Sequence, residues 1–259
     1  MNRVTLLTDF GTRDGYVAAV KGVLASMAPG VIIDDAGHDV PPGDVEAAAW
    51  ALAAYWQLYP PETVHLVIID PGVGGARRPL AARVRDRYFV APDNGVLTRV
   101  LADTTGARIV EIRNRAAMRS TVSHTFHGRD IFAGAAAWLA RGDALDDLGP
   151  SATEPHRFTL PVPRIGHDAV EGEVVHVDRY GNLITNISEA WALGATEITL
   201  GEWQVGAVRR TYADVAPGAP VALIGSVGLL EIAVRDGCAA EVLGAGRGTP
   251  VCVHRRLPE

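Results

Sequence analysis

Residues 64–74 read Val-His-Leu-Val-Ile-Ile-Asp-Pro-Gly-Val-Gly, an apolar run that stops abruptly at an acid, a proline and glycine. Apart from His65, the run consists of Val, Leu and Ile up to Asp70, which is typical of a strand buried on both faces. Ligands of open α/β sheets bind beyond the carboxyl ends of such strands. The stretch therefore predicts a buried strand that presents Asp70 to a ligand.

Similar endings occur at three other places in the first half of the chain. They are Thr8-Asp9-Phe10-Gly11, Ala91-Pro92-Asp93-Asn94-Gly95 and Phe126-His127-Gly128-Arg129-Asp130. Together with residues 64–74, they predict that polar side chains converge on a single pocket.

The first 149 residues alternate short apolar runs with longer amphipathic ones. This alternation predicts an N-terminal layered α/β domain, residues 1–149, with a mostly parallel sheet. Its predicted strands are Val4–Thr8, Val31–Asp34, Val64–Asp70, Leu80–Val84, Tyr88–Ala91 and Arg108–Arg113. Its predicted helices are Tyr16–Met27, Asp44–Leu58, Gly95–Ala102 and Asp130–Ala140.

The pattern changes after Gly149. Residues 150–168 contain four prolines and lack periodicity, which is typical of a linker. The remaining residues, 169–259, contain β-type runs and no long helix, which predicts a smaller C-terminal all-β, barrel-like domain. The predicted strands are Glu171–Asp178, Leu183–Ile187, Glu197–Leu200, Gln204–Arg209, Pro220–Ile224, Leu229–Val234 and Val251–Arg255.

Composition limits the classes of partner. The 259 residues are 48% hydrophobic and 21% charged, as in an ordinary soluble globular protein. A net charge of -6 argues against nucleic-acid binding, which requires a basic face. The longest weakly apolar run, residues 47–56, is too short to span a membrane, and the N-terminal residues do not resemble a signal peptide. We therefore expect a cytoplasmic protein without a membrane partner.

Residue types alone leave a metal-dependent hydrolase of a nucleoside-type substrate as one alternative. Asp9, Asp70, Asp93 and His127 offer oxygen and nitrogen ligands that suit Mn, Mg or Zn. The tight His-Glu-x-x-His spacing is missing, and the two cysteines have no Cys-x-x-Cys spacing. The first strand is not followed by Gly-x-Gly-x-x-Gly, which argues against a redox dinucleotide enzyme.

Purely structural roles are a second set of alternatives. Asp70 could be a turn acid, Arg77 its surface partner, and His127 a core histidine. Asp9 or Asp14 could cap the helix that starts near Gly15, and Asp14 fits that role better. The segment 178–182 could be a polar β-turn, and Phe126 could belong to the core.

Six motifs, in the same order and in both halves of the chain, resemble those of the S-adenosyl-L-methionine hydroxide adenosyltransferase family. This family comprises the hydrolase relatives of the fluorinase and chlorinase enzymes. The motifs are Leu7-Thr8-Asp9-Phe10-Gly11 with Asp14, Asp70-Pro71-Gly72-Val73-Gly74, Ala91-Pro92-Asp93-Asn94-Gly95, Phe126-His127-Gly128-Arg129-Asp130, Asp178-Arg179-Tyr180-Gly181-Asn182 with Thr185-Asn186-Ile187, and Ser226 ahead of Leu229–Ala233. The resemblance implies hydrolysis of S-adenosyl-L-methionine to adenosine and L-methionine, and a homotrimer with active sites between subunits. It implies neither a cofactor nor a metal.

The resemblance also implies roles for individual residues. Asp70, Arg77 and His127 match the catalytic trio of the hydrolases. Asp9 matches the carboxylate that binds both ribose hydroxyls, Asp14 is adjacent to the substrate, and Phe126 lines the sugar pocket. In the second half, Asp178 and Ser226 match positions that hold the methionine ammonium and the adjoining amino-acid atoms. Asn182 matches the residue that contacts the adenine edge, and Tyr212 aligns with the aromatic that stacks on adenine.

Some positions depart from the halogenating relatives. Those enzymes have a tyrosine at the position of Asp70 and a residue other than histidine at that of His127, so we expect no halide site. Gly43 and Val227 occupy the positions of a nucleoside-stacking tryptophan and a carboxylate-binding arginine. A non-catalytic nucleoside- or S-adenosylmethionine-binding module remains the alternative from another class. Such a module has no use for the trio.

Overall fold

The computed structural model describes residues 2–102 and 106–255. The chain divides into two compact units, Met1–Phe158 and Thr159–Glu259. Residues 256–259 of the predicted C-terminal domain lie outside the described residues, as do Met1 and residues 103–105 of the predicted N-terminal domain. Part of the proline-rich segment 150–168 packs within the first unit, where the backbone N–H of His156 donates to Asp93 Oδ1 at 2.7 Å.

The first unit contains a six-stranded sheet with the strand order β2-β1-β3-β5-β4-β6. The strands are β1 Arg3–Thr8, β2 Ile32–Gly37, β3 Val64–Ile68, β4 Pro79–Val84, β5 Arg87–Pro92 and β6 Arg108–Glu111. Strands β2, β1, β3 and β5 are parallel, whereas β4 is antiparallel to β5 and β6. Only Arg85 and Asp86 connect β4 to β5, and so short a connection permits only an antiparallel hairpin. The predicted α/β class with a mostly parallel sheet is confirmed.

Helices cover both faces of this sheet. They are α1 Tyr16–Met27, α2 Val45–Tyr55, α3 Thr98–Ala102 and α4 Ala133–Ala140. Leu66 and Ile68 of β3 pack in the core formed with α1 and α4, whereas Val67 and Ile69 pack in the core on the α2 and α3 side. This alternation explains why the whole β3 segment is apolar, because each buried Val, Leu or Ile contributes about 1.5–3 kcal/mol. The residues predicted to begin the last helix instead form a π-helical turn, Gly128–Phe132.

The second unit is a single curled β-sheet with the order β11-β10-β15-β8-β9-β14-β13-β12, and β7 pairs with β8. Its elements are β7 Arg164–Ile165, β8 Ala169–Val177, β9 Leu183–Ser188, α5 Glu189–Ala192, β10 Ala195–Leu200, β11 Trp203–Gly206, β12 Val208–Arg209, β13 Pro220–Ile224, β14 Leu229–Val234, α6 Ala239–Val242 and β15 Pro250–Arg255. The two edge strands, β11 and β12, are separated in the chain only by Ala207, so the sheet must curl back on itself. This nearly closed sheet confirms the predicted barrel-like architecture. Across the described ranges, every helix is too short or too polar to span a bilayer.

Candidate active site

Two acids leave the sheet of the first unit at the same edge. Strands β1 and β3 pair in register up to Thr8 and Ile68, so Asp9 and Asp70 follow neighbouring strand ends. His127 joins them from the residue that precedes the π-helical turn. All three side chains line one cavity of about 330 Å³, together with Phe10, Gly43 and Phe126.

Arg77 links the other two members of the predicted trio. Its Nε donates to Asp70 Oδ1 at 2.8 Å, and its Nη2 donates to Asp70 Oδ2, so the pair is bidentate. The same Nη2 lies 2.7 Å from His127 Nδ1. The side chains of Asp70 and Arg77 are only 6% and 9% exposed, so Arg77 is not a surface partner. The guanidinium also lies over the Phe132 ring, 5.2 Å from its centroid.

These contacts define the protonation of His127. An arginine side chain only donates hydrogen bonds, so His127 Nδ1 must accept, and a neutral ring then carries its proton on Nε2. Burial lowers the pKa of His127 below its ordinary value, and the positive charge of Arg77 lowers it further. The imidazole therefore presents an N–H donor on its side away from Arg77.

A buried carboxylate holds the loop that carries His127. Asp130 is fully buried and accepts hydrogen bonds from the Ser123 backbone N–H at 2.9 Å, from Arg119 at 3.0 Å and from Arg129 at 2.7 Å. Burial alone raises the pKa of Asp130, but the hydrogen bonds from Arg129, Ser123 and Arg119 outweigh it and lower the pKa to about 2. Asp130, which the sequence placed near the start of a helix, thus anchors the segments that precede and follow His127.

Asp9 is held by backbone rather than by a capping interaction. Its Oδ2 accepts from the Gly43 N–H at 2.9 Å. Helix α1 begins after Gly15 without a side-chain capping bond, so neither Asp9 nor Asp14 acts as the cap that the sequence suggested as an alternative. Asp14 is exposed just before α1 and is not among the described residues that line the cavity.

Phe10 and Phe126 line one side of the cavity, and Tyr16 packs against both rings. The ring centroids of Phe10 and Phe126 lie 5.7 Å apart, and Tyr16 lies 5.3 Å from Phe126. Phe126 is half-buried and lines the cavity, so it is not a pure core residue. Phe10 and Tyr16 were not assigned a role from the sequence. The position of Phe10 next to Asp9 was the available signal for it.

The strand end at Asp93 is placed differently. Its Oδ2 accepts from Arg78 Nε at 2.7 Å, and its other oxygen accepts from the His156 backbone. Asp93 is not among the described residues that line the cavity with Asp9 and Asp70, so the expectation that all four endings share one pocket is wrong. In the described ranges, no group of three or more His, Cys, Asp and Glu side chains is arranged to hold a metal ion.

The second unit brings two predicted contact residues to one cavity of about 700 Å³, lined by Tyr180, Asn182, Tyr212 and Arg235 among others. Asp178 closes the turn beside it. Its Oδ1 accepts from the backbone N–H groups of Tyr180 and Asn182, each at 2.9 Å, and its Oδ2 accepts from Asn182 Nδ2 at 3.0 Å. Residues 178–182 therefore form a polar turn, as one alternative from the sequence suggested. This turn also orients the Asn182 amide.

The loop between β13 and β14 carries Ser226 and Val227, which are both exposed. Further along β14, Glu231 is only 5% exposed, and its Oε1 accepts a hydrogen bond from the Tyr212 hydroxyl at 2.6 Å. Burial raises the pKa of Glu231, the hydrogen bond from Tyr212 offsets part of this rise, and the charge of Asp178 adds to it. Sequence reasoning missed Glu231. The acid within the apolar run 229–234 was the only signal for it.

Known proteins resemble this chain along nearly its whole length. Residues 4–149 match the model of the SAM hydroxide adenosyltransferase N-terminal domain, and residues 172–252 match that of the C-terminal domain. A protein from Thermus thermophilus named (R)-S-adenosyl-L-methionine hydrolase is 44% identical, with 97% of this chain and 99% of that protein covered. One of the same name from Salinispora tropica is 42% identical, with 95% of each chain covered.

More distant relatives and a solved structure agree with this result. A fluorinase from Actinoplanes sp. is 28% identical over 71% of each chain. A crystal structure of an uncharacterized conserved protein from Thermotoga maritima superposes with a TM-score of 0.91 at 36% identity, covering 97% of this chain and 100% of that one. Because the two family models together match most of its length, the chain belongs to the SAM hydroxide adenosyltransferase family.

Proposed function

We propose that this protein hydrolyses S-adenosyl-L-methionine to adenosine and L-methionine. Its relatives from Thermus thermophilus and Salinispora tropica are named (R)-S-adenosyl-L-methionine hydrolase. The observation that carries the proposal is that the Arg77 guanidinium donates hydrogen bonds to both Asp70 and His127. These two residues line a cavity that Asp9 also lines. A module that only binds its ligand has no need for such a buried charged network.

The reaction is a displacement at the ribose C5′. The water oxygen bonds to C5′ while the C5′–S bond breaks, and its electron pair remains on sulfur. The sulfonium leaves as a neutral thioether, so no general acid is needed to protonate it. The protein must instead hold one water in line behind C5′ and exclude other solvent from the cavity.

Asp70 is the acceptor for a proton of that water. Water has a pKa of about 15.7 and a carboxylate one of about 4, so complete deprotonation before attack would cost roughly 16 kcal/mol. We therefore infer that the water is positioned first and loses its proton during or after attack. Neutral His127, with Nδ1 engaged by Arg77, donates a hydrogen bond from its Nε2–H to the water oxygen and keeps that proton throughout. Arg77 acts through both of these residues as a positioning group.

Asp9 is proposed to bind the ribose, because one carboxylate can accept hydrogen bonds from both vicinal hydroxyls. Phe126 is proposed to pack against the sugar. Asp14 is proposed to lie next to the substrate. In the second unit, Asn182 is proposed to contact the adenine edge and Tyr212 to stack on adenine. The methionine ammonium is assigned to Asp178 and Ser226, and since Val227 has no charge, the carboxylate must bind elsewhere.

The resemblance supports two further parts of the proposal. The chain is proposed to act as a cytoplasmic homotrimer, with active sites between subunits. Light scattering coupled to size-exclusion chromatography tests the trimer directly. A mass equal to one 27.4 kDa chain would contradict it.

The decisive experiment is incubation of the purified protein with S-adenosyl-L-methionine, followed by chromatography. We expect equal amounts of adenosine and methionine, undiminished after chelator treatment. Loss of activity with the chelator would instead support the metal-dependent hydrolase. Added fluoride or chloride should yield no halogenated nucleoside by mass spectrometry.

The Asp70→Ala variant separates catalysis from binding. Calorimetry should show that this variant still binds S-adenosyl-L-methionine, while turnover falls by orders of magnitude. Loss of binding without a separable effect on rate would contradict the role assigned to Asp70.

A further inference from the structure

We infer that Glu231 is a positioning residue that holds the Tyr212 ring in the orientation in which it receives adenine. This inference rests on the proposed function and gives a role to Glu231, which lies within the motif Leu229–Ala233 but received no role from the sequence. It depends on the contact between the two side chains, on the burial of the carboxylate and on the exposure of the ring.

The contact joins an exposed ring to a buried acid. Tyr212 is 43% exposed and lines the second-unit cavity beside Asn182, whereas Glu231 is 5% exposed on β14. The Tyr212 hydroxyl donates to Glu231 Oε1 at 2.6 Å, a distance typical of a charge-assisted bond. The ring is thus fixed at its far end by a strand of the barrel.

The backbone of Tyr212 is fixed independently. Tyr212 starts a short 3-10 turn, Tyr212–Asp214, and Thr211 and Asp214 close this turn with a reciprocal capping box. Asp214 Oδ2 also accepts from the Arg210 N–H at 3.0 Å. With the backbone held at one end and the hydroxyl at the other, the two side-chain torsions have little freedom. A ring that is ordered before binding loses less entropy when a flat ligand stacks on it.

A carboxylate at position 231 is costly for the fold itself. Ala233, the next residue on the same face of β14, is fully buried. Burial of an ionised carboxylate is unfavourable, and an apolar residue of similar volume at such a position often leaves a protein as stable or more stable. Burial also raises the pKa of Tyr212, and its hydrogen bond to Glu231 raises it further, so the phenol stays protonated and remains the donor. The acid therefore serves a purpose that a leucine could not serve.

The test compares three substitutions and their combination. Tyr212→Phe and Glu231→Leu each remove the bond and should raise the KM for S-adenosyl-L-methionine about tenfold, with kcat within twofold of the wild type. Glu231→Gln keeps an acceptor oxygen and should leave KM within about twofold. The Tyr212→Phe, Glu231→Leu double variant should be no worse than Tyr212→Phe alone.

The matched control is Glu241→Gln, an exposed acid on α6, which should change nothing. Glu231→Leu should also melt no lower than the wild type while it binds more weakly, a combination that a merely structural role would not produce. An equal loss in Glu231→Gln and Glu231→Leu would overturn the inference, since the charge would then contact the ligand directly. Additive effects in the double variant would overturn it as well.

Adenosine binding by calorimetry gives the same comparison without turnover. If the wild type bound adenosine but did not hydrolyse S-adenosyl-L-methionine, the proposed function would fail while the affinity ratios still decided the role of Glu231. An unchanged adenosine affinity in Tyr212→Phe would contradict the inference even if hydrolysis were confirmed.

Discussion

Arg77 and His127 share one hydrogen bond, 2.7 Å from guanidinium Nη2 to imidazole Nδ1, and this bond sets the tautomer of the histidine. The same guanidinium donates hydrogen bonds to both carboxylate oxygens of Asp70. One positioning group therefore orients an acceptor and a donor that both face the cavity.

The planar fork of Arg77 should matter more than its charge. Arg77→Lys keeps the positive charge but cannot bind Asp70 and His127 together, so we expect kcat to fall about 100-fold or more with little change in KM. Steady-state kinetics measure this split. Arg78→Lys is the matched control because Arg78 pairs with Asp93 outside the cavity, and it should lower Tm but leave kcat within twofold. Equal kinetic effects at both positions would contradict the assignment.

The protonation of His127 should limit activity only at low pH. Burial and the charge of Arg77 lower its pKa, so the neutral ring persists below the ordinary histidine value of about 6.5. Removing the guanidinium with Arg77→Gln should raise the pKa of His127 and move the acid limb of kcat/KM to higher pH. The NMR titration of His127 should shift in the same direction. A titration that is the same in both proteins would show that Arg77 does not control this ring.

His65 should make the fold sensitive to acid. It is fully buried in β3, its Nδ1 lies 2.8 Å from Thr5 Oγ1, and burial followed by the charge of Arg87 lowers its pKa to about 3. Below about pH 6.5, His65 binds a proton in the unfolded chain but stays neutral in the folded chain. The free energy of unfolding therefore decreases as the pH falls toward about 3. The loss from this group should reach about 4 to 5 kcal/mol.

Denaturant unfolding at several pH values measures this effect. His65→Leu should flatten the stability profile between about pH 6.5 and 3. His254→Gln, which changes an exposed histidine, should leave the profile as in the wild type. A profile with the same slope in His65→Leu would assign acid sensitivity to other groups.

Gly74 should be required for the loop that carries Asp70. It has a φ of 76°, and an added Cβ would collide with the His124 carbonyl oxygen in the segment that leads to His127. Gly30 has a φ of 79° but open space around it, so Gly30→Ala reports the cost of the backbone conformation alone, about 1 kcal/mol. Gly74→Ala should cost roughly 2 kcal/mol more than this control because the backbone must shift. It should also lower kcat in the folded protein. Equal changes in Tm would show that the collision is relieved.

Local sequence patterns predicted the elements of the fold well. The apolar run 64–69 predicted a strand covered on both faces, and alternate residues of β3 and Ile69 do enter two different cores. Helix α1 has the bounds Tyr16–Met27 that the sequence predicted. Hydrophobic periodicity and breakers such as Pro29-Gly30 act within a few residues, which is why the sequence can report them.

Pairings between distant residues were harder to predict. Asp93 ends a strand in the same manner as Asp70, yet Arg78 and the His156 backbone engage it instead of the cavity. The partner of Asp93 is Arg78, which immediately precedes the neighbouring strand β4, and no local pattern encodes the register that brings the two together. Glu231 was missed because its partner, Tyr212, lies on a separate turn of the barrel.

By itself, the amino-acid sequence determined the class of fold, the order of the elements and the family. Hydrophobic patterns and short motifs depend only on residues that are close together in the chain. It also placed Asp9 and Asp70 at the ends of apolar runs, whereas His127 follows a segment that forms no strand. Only the tertiary structure decided which side chains pair. Arg77 binds both Asp70 and His127, whereas Arg78, the next residue, binds Asp93. Adjacent side chains can be directed to different partners because the backbone path, and not the residue type, sets the direction of each one.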